Sequence, residues 1–199
     1  MLIKCAIFLL ILISNVEVYA QLLPQFELDT CRTFESLEAA LESPEKVFKL
    51  KLNRNKLVVF PKEIYQFINL QSLDLSKNRL AEIPDSIQVL QYLQEVNFAK
   101  NKVVNFPHAL TSCKHLKKIV FSQNELDSLP NSIGNLMKLE HLDLWSNNLS
   151  YFPAEMNALS RLKVLDLRGI NLNREEQDYI KNLVPNTKVH LSPSCDCAK

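Results

Sequence analysis

Apolar residues recur along most of the chain in a pattern that repeats every 23 residues, as the distance from Leu70 to Leu93 shows. Two of the units show it most clearly, with the apolar positions Leu70, Leu73, Leu75, Leu80 and Leu139, Leu142, Leu144, Leu149. The second and third positions of each unit alternate with polar residues, which is the period-2 sign of a short strand. The other units carry side chains of similar bulk, and six units extend from Val47 to Leu172.

Asparagine and proline follow the same spacing. The asparagines are Asn55, Asn78, Asn101, Asn124 and Asn147. The prolines are Pro61, Pro84, Pro107, Pro130 and Pro153. The alternative is a set of amphipathic helices with incidental spacing, and two ladders in one phase argue against it.

Each of these residue types has a structural role in a stacked coil. An asparagine amide that turns inward after the strand can bond backbone groups of adjacent coils that would otherwise be buried without partners. Proline fixes φ and leads into a short helical turn on the outer side. We therefore expect the five asparagines to form a structural ladder, and the strands of successive coils to form one parallel sheet.

The pattern Leu-x-x-Leu-x-Leu-x-x-Asn-x-Leu resembles that of the leucine-rich-repeat family. The proline-bearing 23-residue unit is similar to that of bacterial extracellular members. The resemblance covers nearly the whole mature chain and implies an α/β solenoid: a horseshoe with a parallel β-sheet on the concave face, short helical turns on the convex face and helical caps at both ends. Because the family binds many unrelated partners, the resemblance specifies the fold far better than the ligand.

Segments at both ends depart from the repeat and are expected to cover the open ends of the solenoid. Residues 21–46 form the N-terminal capping segment, in which Phe34, Leu37 and Leu41 have helical spacing and predict a capping helix from Thr33 to Glu42. Residues 173–199 form the C-terminal cap and tail, with a helix predicted from Arg174 to Leu183 and a last strand at 188–191.

The first twenty residues differ in kind from the rest. Lys4 precedes a short apolar run, and the small-residue motif that ends at Ala20 predicts a signal peptide, residues 1–20, cleaved before Gln21. An uncleaved anchor is the alternative, although the apolar run is shorter than the ~20 residues that span a bilayer. The prediction is a secreted, periplasmic or extracellular protein with no membrane insertion after cleavage.

The mature chain keeps four cysteines. Cys113 falls on a core position, while Cys31 lies at one end and Cys195 and Cys197 at the other. A strained ring between the last two and an intermolecular use of these thiols both remain open. Asn148 begins a glycosylation sequon, which has meaning only in a eukaryotic source.

The register places the side chains between the buried strand positions on the concave face, where binding residues are expected. It also predicts a third outward row after the strands: Asn53, Ser76, Ala99, Ser122, Trp145 and Arg168. Trp145, the only tryptophan, has no role there in the fold and is the leading contact residue, because tryptophan and arginine dominate binding hot spots. The alternative is that Trp145 packs over its neighbours. The candidate partner-binding residues are Trp145, Val120, His141, Asp143, Arg168, Lys118 and Asn97.

Three cations, Arg54, Lys77 and Lys100, follow three consecutive strands and predict a short basic edge. They indicate either a surface for an acidic partner or a solvated rim. The whole chain gives no general attraction to polyanions, since 23 Lys and Arg face 22 Asp and Glu. No nucleic-acid partner is predicted.

Catalytic and metal sites find little support in the sequence. His141 and Asp143 share a strand face, but the pattern places no nucleophile beside them. His190 with Cys195 and Cys197 makes an incomplete metal set. We therefore predict no enzyme activity, no metal and no cofactor. The expected function is the binding of an unidentified protein ligand by a monomer, and the alternative is a structural or surface-coat protein that self-associates.

Overall fold

The computed structural model describes residues 22–194, which form a single eight-stranded parallel sheet with its strands in chain order. The strands are β1 (Thr33–Phe34), β2 (Lys49–Lys51), β3 (Ser72–Asp74), β4 (Glu95–Asn97), β5 (Lys118–Val120), β6 (His141–Asp143), β7 (Val164–Asp166) and β8 (Lys188–His190). The middle residue of each strand from β2 to β7 is buried and its two neighbours are not. This alternation confirms the predicted solenoid with a parallel sheet along one face.

Short 3-10 helices lie on the opposite side of the coils, as predicted. They are Pro44–Lys46, Lys62–Gln66, Asp85–Val89, His108–Ser112, Asn131–Asn135 and Ala154–Ala158. Each of the last five follows one of the repeated prolines, whose φ lies between −67° and −75° and so begins the turn without strain. Each of these five also buries apolar side chains, for example Ile87 or Met156.

Four of the five repeated asparagines are buried and bond the backbone of adjacent coils. In Asn101, Nδ2 donates to the carbonyls of Leu75 at 3.0 Å and Phe98 at 2.9 Å, and Oδ1 accepts from the N–H of Leu80 at 3.0 Å. The same three bonds recur at Asn78, Asn124 and Asn147. These amides satisfy groups that stacking has removed from water.

The prediction that Asn55 belongs to this ladder differs from the structure. The Asn55 side chain is exposed, and among the described residues it makes none of the three bonds. An interior asparagine donates across to the coil before it, whereas the segment before Asn55 is the cap and has no repeat loop to bond.

The N-terminal cap differs from the predicted single helix over Thr33–Glu42. An additional helix, α1 (Gln25–Thr30), precedes β1, and only α2 (Leu37–Leu41) is helical within the predicted range. Phe34 is buried as part of β1, which pairs with β2 and extends the sheet by one strand. Ser36 caps α2 just after the strand, since its Oγ accepts from the N–H of Ala39 at 3.1 Å.

The C-terminal cap agrees with its prediction. Helix α3 (Arg174–Leu183) begins with a capping box in which Asn173 and Glu176 bond each other's backbone N–H groups. It buries Ile180, and β8 then covers the last coil. Within residues 22–194, none of the helices has the length and apolar character that crossing a bilayer requires.

Cys113 is fully buried and its Sγ lies 4.0 Å from the carbonyl oxygen of Ile87. Burial raises the pKa of this thiol to about 11, so it packs as a small apolar side chain. Cys31 is also buried. The predictions for Cys195 and Cys197, for cleavage at Gln21 and for the signal peptide lie outside the described residues.

Candidate binding surface

Two rows of side chains run across the strands on the concave face, and the structure leaves both accessible. One row is Lys49, Ser72, Glu95, Lys118, His141 and Val164, and the other is Lys51, Asp74, Asn97, Val120, Asp143 and Asp166. Neighbouring strands pair in register, so members of a row are ~4.8 Å apart. The sequence therefore predicted correctly which strand positions point outward.

A third row, at the residues just after the strands, is only partly exposed. Ser76 and Ser122 are buried although the register predicted an outward position. Ser76 is enclosed by the turn at the end of β3: its N–H donates to Asp74 and its carbonyl accepts from the N–H of Arg54. Trp145 and Arg168 occupy the same row and are exposed.

Acidic and amide side chains in the second row have a structural role that the sequence analysis missed. Oδ1 of Asp143 accepts from the N–H of Trp145 at 3.1 Å, and Asn97 bonds Ala99 in the same way at 3.0 Å. Asp74 and Asp166 repeat this turn. The sequence signal for this turn is an Asp or Asn just after a buried strand residue, because such a side chain can accept from the N–H two residues further along. Val120 breaks the series, because its side chain has no acceptor.

The N-terminal half of the concave face is already occupied by contacts from the cap. Gln25 of α1 reaches over the sheet, and its Nε2 donates to Glu95 at 2.8 Å. Lys49 donates to the Asp29 carbonyl at 3.4 Å, and Lys51 lies 3.3 Å from Glu35. The charged side chains of β2 and β4 thus have partners within the chain.

The C-terminal half presents side chains without such partners. Lys118 and His141 are exposed, and no ion pair joins either to a residue in the described range. Asp143 uses Oδ1 in its turn and leaves Oδ2 unbonded within the same part of the chain. Val120 lies between Asn97 and Asp143 and adds apolar surface.

Trp145 keeps 39% of its surface exposed and rests on the backbone of the next coil. A Cβ placed on Gly169 would lie 3.3 Å from the indole Nε1 and 3.4 Å from the backbone of Ser146. Gly169 also has φ +72°, which favours glycine. The indole Nε1 therefore lies close to Gly169, while part of the side chain stays open to solvent.

Arg168 is fixed beside Trp145 by Asp166. Its Nε donates to Oδ1 at 2.9 Å and its Nη2 donates to Oδ2 at 2.5 Å. Burial opposes ionisation of Asp166, but the hydrogen bonds and charge of Arg168 outweigh it and lower the pKa of that carboxyl. The same bonds raise the pKa of Arg168. A guanidinium is thus held in one orientation at the edge of the concave face.

Two cavities lie where the halves meet. One of about 380 Å³ is lined by Gln25, Glu95, Lys117, Lys118, Glu140 and His141. The other, of about 210 Å³, includes Asn97, Lys118 and Val120 in its lining. The cavity linings thus include four of the predicted residues: Asn97, Lys118, Val120 and His141. Trp145 and Arg168 follow the carboxyl ends of their strands and line neither cavity.

Beside the first cavity, Glu140 pairs with Lys163 at 2.5 Å. The hydrogen bond from Lys163 lowers the pKa of Glu140 against the effect of burial. In the range 22–194, no group of three or more His, Cys, Asp or Glu side chains is arranged to hold a metal ion.

A family model for the leucine-rich repeat region matches residues 28–188. The chain belongs to the leucine-rich-repeat family. The fold is typical of protein–protein interaction modules. No curated protein matches the chain at a significant level.

Solved structures with a similar fold come from bacteria and plants. A leucine-rich-repeat protein of Leptospira interrogans is 29% identical, with a TM-score of 0.60 over 73% of this chain and 44% of its own. An internalin of Listeria monocytogenes is 22% identical, with a TM-score of 0.64 over 75% of this chain and 44% of its own, and shows the fold alone.

The third structure is the ectodomain of the membrane receptor kinase GASSHO1/SCHENGEN3 of Arabidopsis thaliana in complex with Casparian strip integrity factor 2. It is 25% identical, with a TM-score of 0.62 over 75% of this chain and 18% of its own. The chain spans less than half the length of each of these three proteins.

Proposed function

We propose that the chain is a non-enzymatic, secreted binding module that holds a protein partner on the C-terminal half of its concave face. The contact residues are Trp145, Val120, His141, Asp143 and Arg168, with Lys118 and Asn97 at the border toward the N-terminal half. The protein acts as a monomer. Trp145 carries the proposal, because an indole that is 39% exposed lies on a sheet face where the core makes no demand for it.

The distribution of internal contacts supports this half of the face. The cap already pairs Lys49, Lys51 and Glu95, whereas Lys118, His141 and Asp143 keep polar groups for a partner. Gly169 and Asp166 hold the indole and the guanidinium of Arg168 before any partner arrives. Side chains that are fixed in advance lose little freedom on binding, which favours affinity.

The mixed charges of this half favour a protein ligand over a polyanion. Trp145 and Arg168 are of the residue types that are enriched in binding hot spots. The apolar Val120 and an Asp143 oxygen that is unbonded within the described residues lie in the same half of the face. The plant receptor ectodomain whose fold is similar is itself in complex with a protein factor. The apolar run and the small-residue motif that precede Gln21 are the support for secretion.

The test is affinity capture from the native extracellular medium with three versions of the protein. The wild type and Tyr151→Ala, which removes another exposed aromatic from outside the concave face, should retain the same protein. Trp145→Ala should retain at least about tenfold less, because a hot-spot tryptophan contributes ~2 kcal/mol or more.

Thermal unfolding of the three proteins provides the control for folding. Trp145→Ala and Tyr151→Ala should unfold within a few degrees of the wild type, so that a loss of capture reports on binding. Equal capture by Trp145→Ala and the wild type would contradict the proposed surface. Oligomers that dissociate with a reducing agent would favour the surface-coat alternative over a monomeric binder.

A further inference from the structure

A basic strip runs along the loops that follow the first three strands of the repeats, outside the concave face. Its six members are Arg54, Lys56, Lys77, Arg79, Lys100 and Lys102. All six are exposed, and none forms an ion pair with a residue of the described range 22–194. The sequence pattern indicates only three of them.

The first cation of each coil is fixed by the backbone. Arg54, Lys77 and Lys100 have φ values of 61°, 59° and 59°, in the left-handed region. Each donates its N–H to the next coil, at 3.1, 2.7 and 2.8 Å respectively. These three side chains therefore leave the solenoid at equivalent points of successive coils.

Two of the second cations, Arg79 and Lys102, are placed by equivalent backbone bonds, while Lys56 has a left-handed backbone with φ of 58°. Arg79 donates its N–H to the carbonyl of Leu57 at 2.7 Å, and Lys102 donates to that of Leu80 at 2.9 Å. Backbones bonded in this way lie ~4.8 Å apart, so the cationic side chains extend from neighbouring points of the loops. Like charges that are close together repel one another, and an anion that lies over them reduces this repulsion.

The fold itself does not require these charges. The two following coils place Gln123, Glu125, Ser146 and Asn148 at the equivalent positions. Gln123 and Ser146 have the same left-handed backbone, with φ of 56°. The cations are thus a feature of the first three coils alone and not of the repeat.

Exposed aliphatic side chains border the strip. Val58, Val59 and Val104 expose 62%, 76% and 40% of their surface. Leu57 packs against the core, whereas Lys56 and Val58 on either side of it are exposed. Exposed cations and exposed aliphatic side chains are therefore neighbours in these loops.

We propose that the basic strip and its valines dock the protein on the surface of a bilayer rich in anionic phospholipid. Lysine and arginine near such a surface are attracted by the headgroups, and exposed aliphatic side chains enter the boundary between headgroups and acyl chains. This contact is peripheral and leaves the concave face free for its own partner.

Other polyanions fit this surface less well. Grooves for single-stranded nucleic acid combine cations with aromatic side chains for base stacking, whereas Phe60 and Phe106, the aromatic residues next to the strip, are buried. A sulfated polysaccharide has no apolar region that would cover Val58 and Val59. A lipid surface accommodates both parts of the patch.

Vesicle flotation of the full secreted chain tests the proposal. The wild type should float with vesicles of phosphatidylcholine and phosphatidylglycerol, and not with phosphatidylcholine alone, and high salt should release it. The triple variant Lys77→Gln, Arg79→Gln, Lys100→Gln should partition about a hundredfold more weakly. The matched control Lys114→Gln, Arg161→Gln, Lys181→Gln removes the same number of charges elsewhere and should bind like the wild type.

The valines distinguish a lipid surface from a polyanion in solution. Val58→Gln with Val59→Gln keeps every charge and should lower vesicle partition about tenfold while leaving retention on heparin or an oligonucleotide unchanged. Failure of the wild type to float with anionic vesicles would overturn the proposal. So would equal flotation by the valine variant, or tighter binding of the strip to heparin or oligonucleotide than to vesicles. Trp145→Ala should float normally, which separates this inference from the concave-face proposal.

Discussion

The first three coils and the last three bury the same pattern of apolar residues, yet they expose different side chains. In the first three, the concave side chains Lys49, Lys51 and Glu95 contact the cap, and the loops carry six cations without ion-pair partners in the described chain. In the last three, the loops lack that charge, and the concave face carries an exposed Trp145 beside Asp143 and Arg168. The coils share one backbone, but their outward side chains differ. The first half carries its cations on the loops, and the second half carries Trp145 on the concave face.

Coils in the interior and at the end of the solenoid also differ in what they contribute to stability. An interior coil bonds neighbours on both sides, whereas the first coil bonds a cap of different structure. Substitutions at equivalent positions in the two halves separate the effect of a residue from the effect of its neighbours.

The largest difference is expected between two asparagines of the same repeat position. Asn124→Ala leaves the carbonyls of Phe98 and Phe121 and the N–H of Val103 buried without the amide and should lower the free energy of unfolding by about 3 kcal/mol or more. Asn55→Ala should change it by less than about 0.5 kcal/mol, because Asn55 is exposed. Urea denaturation measures both. Comparable losses would contradict the exclusion of Asn55 from the ladder.

A medium effect is expected where the 3-10 helices pack against one another. A Cβ on Gly134 would lie 2.5 Å from the carbonyl oxygen of Glu155 on the next coil, so Gly134→Ala should cost about 1–3 kcal/mol. Gln88, at the equivalent position two coils earlier, is exposed, and Gln88→Ala should cost less than about 0.5 kcal/mol. Thermal unfolding of the pair would measure the difference, and a neutral Gly134→Ala would show that the two coils separate easily.

The smallest effect concerns the ion pair that orients Arg168. The lowered pKa of Asp166 means that the pair stabilises the fold above the unfolded carboxyl value of ~3.9, and that this contribution is lost as the pH falls through the folded value. Arg168→Gln should therefore lower the stability slightly at neutral pH and not at all in strong acid.

Urea titrations at both pH values provide the check. Lys51→Gln, which breaks the exposed pair with Glu35 in the N-terminal half, should have a smaller effect at neutral pH. A cost for Arg168→Gln that increases in acid would contradict the expected direction of this pH dependence.

The fold and much of the surface could be predicted, because a strict period fixes which side chains face inward. The concave positions of Lys118, Val120 and Asp143 followed from their place beside Ile119 and Leu142. The burial of Ser76, the exposure of Asn55 and the strand at Thr33–Phe34 did not follow. Each of these features depends on contacts with the adjacent coil or with the cap. The repeat pattern does not predict contacts with a segment, such as the cap, that lies outside the repeat.

The sequence by itself determined the solenoid, its register, the buried leucines and the helix Arg174–Leu183, since all of these depend on residues close in the chain. Only the tertiary structure decided that Gln25 reaches Glu95, that Trp145 rests on Gly169, and that six cations from three coils form one strip. These contacts join residues from different coils or from the cap. Stacking brings them within a few ångströms of each other, and the pattern within one unit does not specify their chemistry.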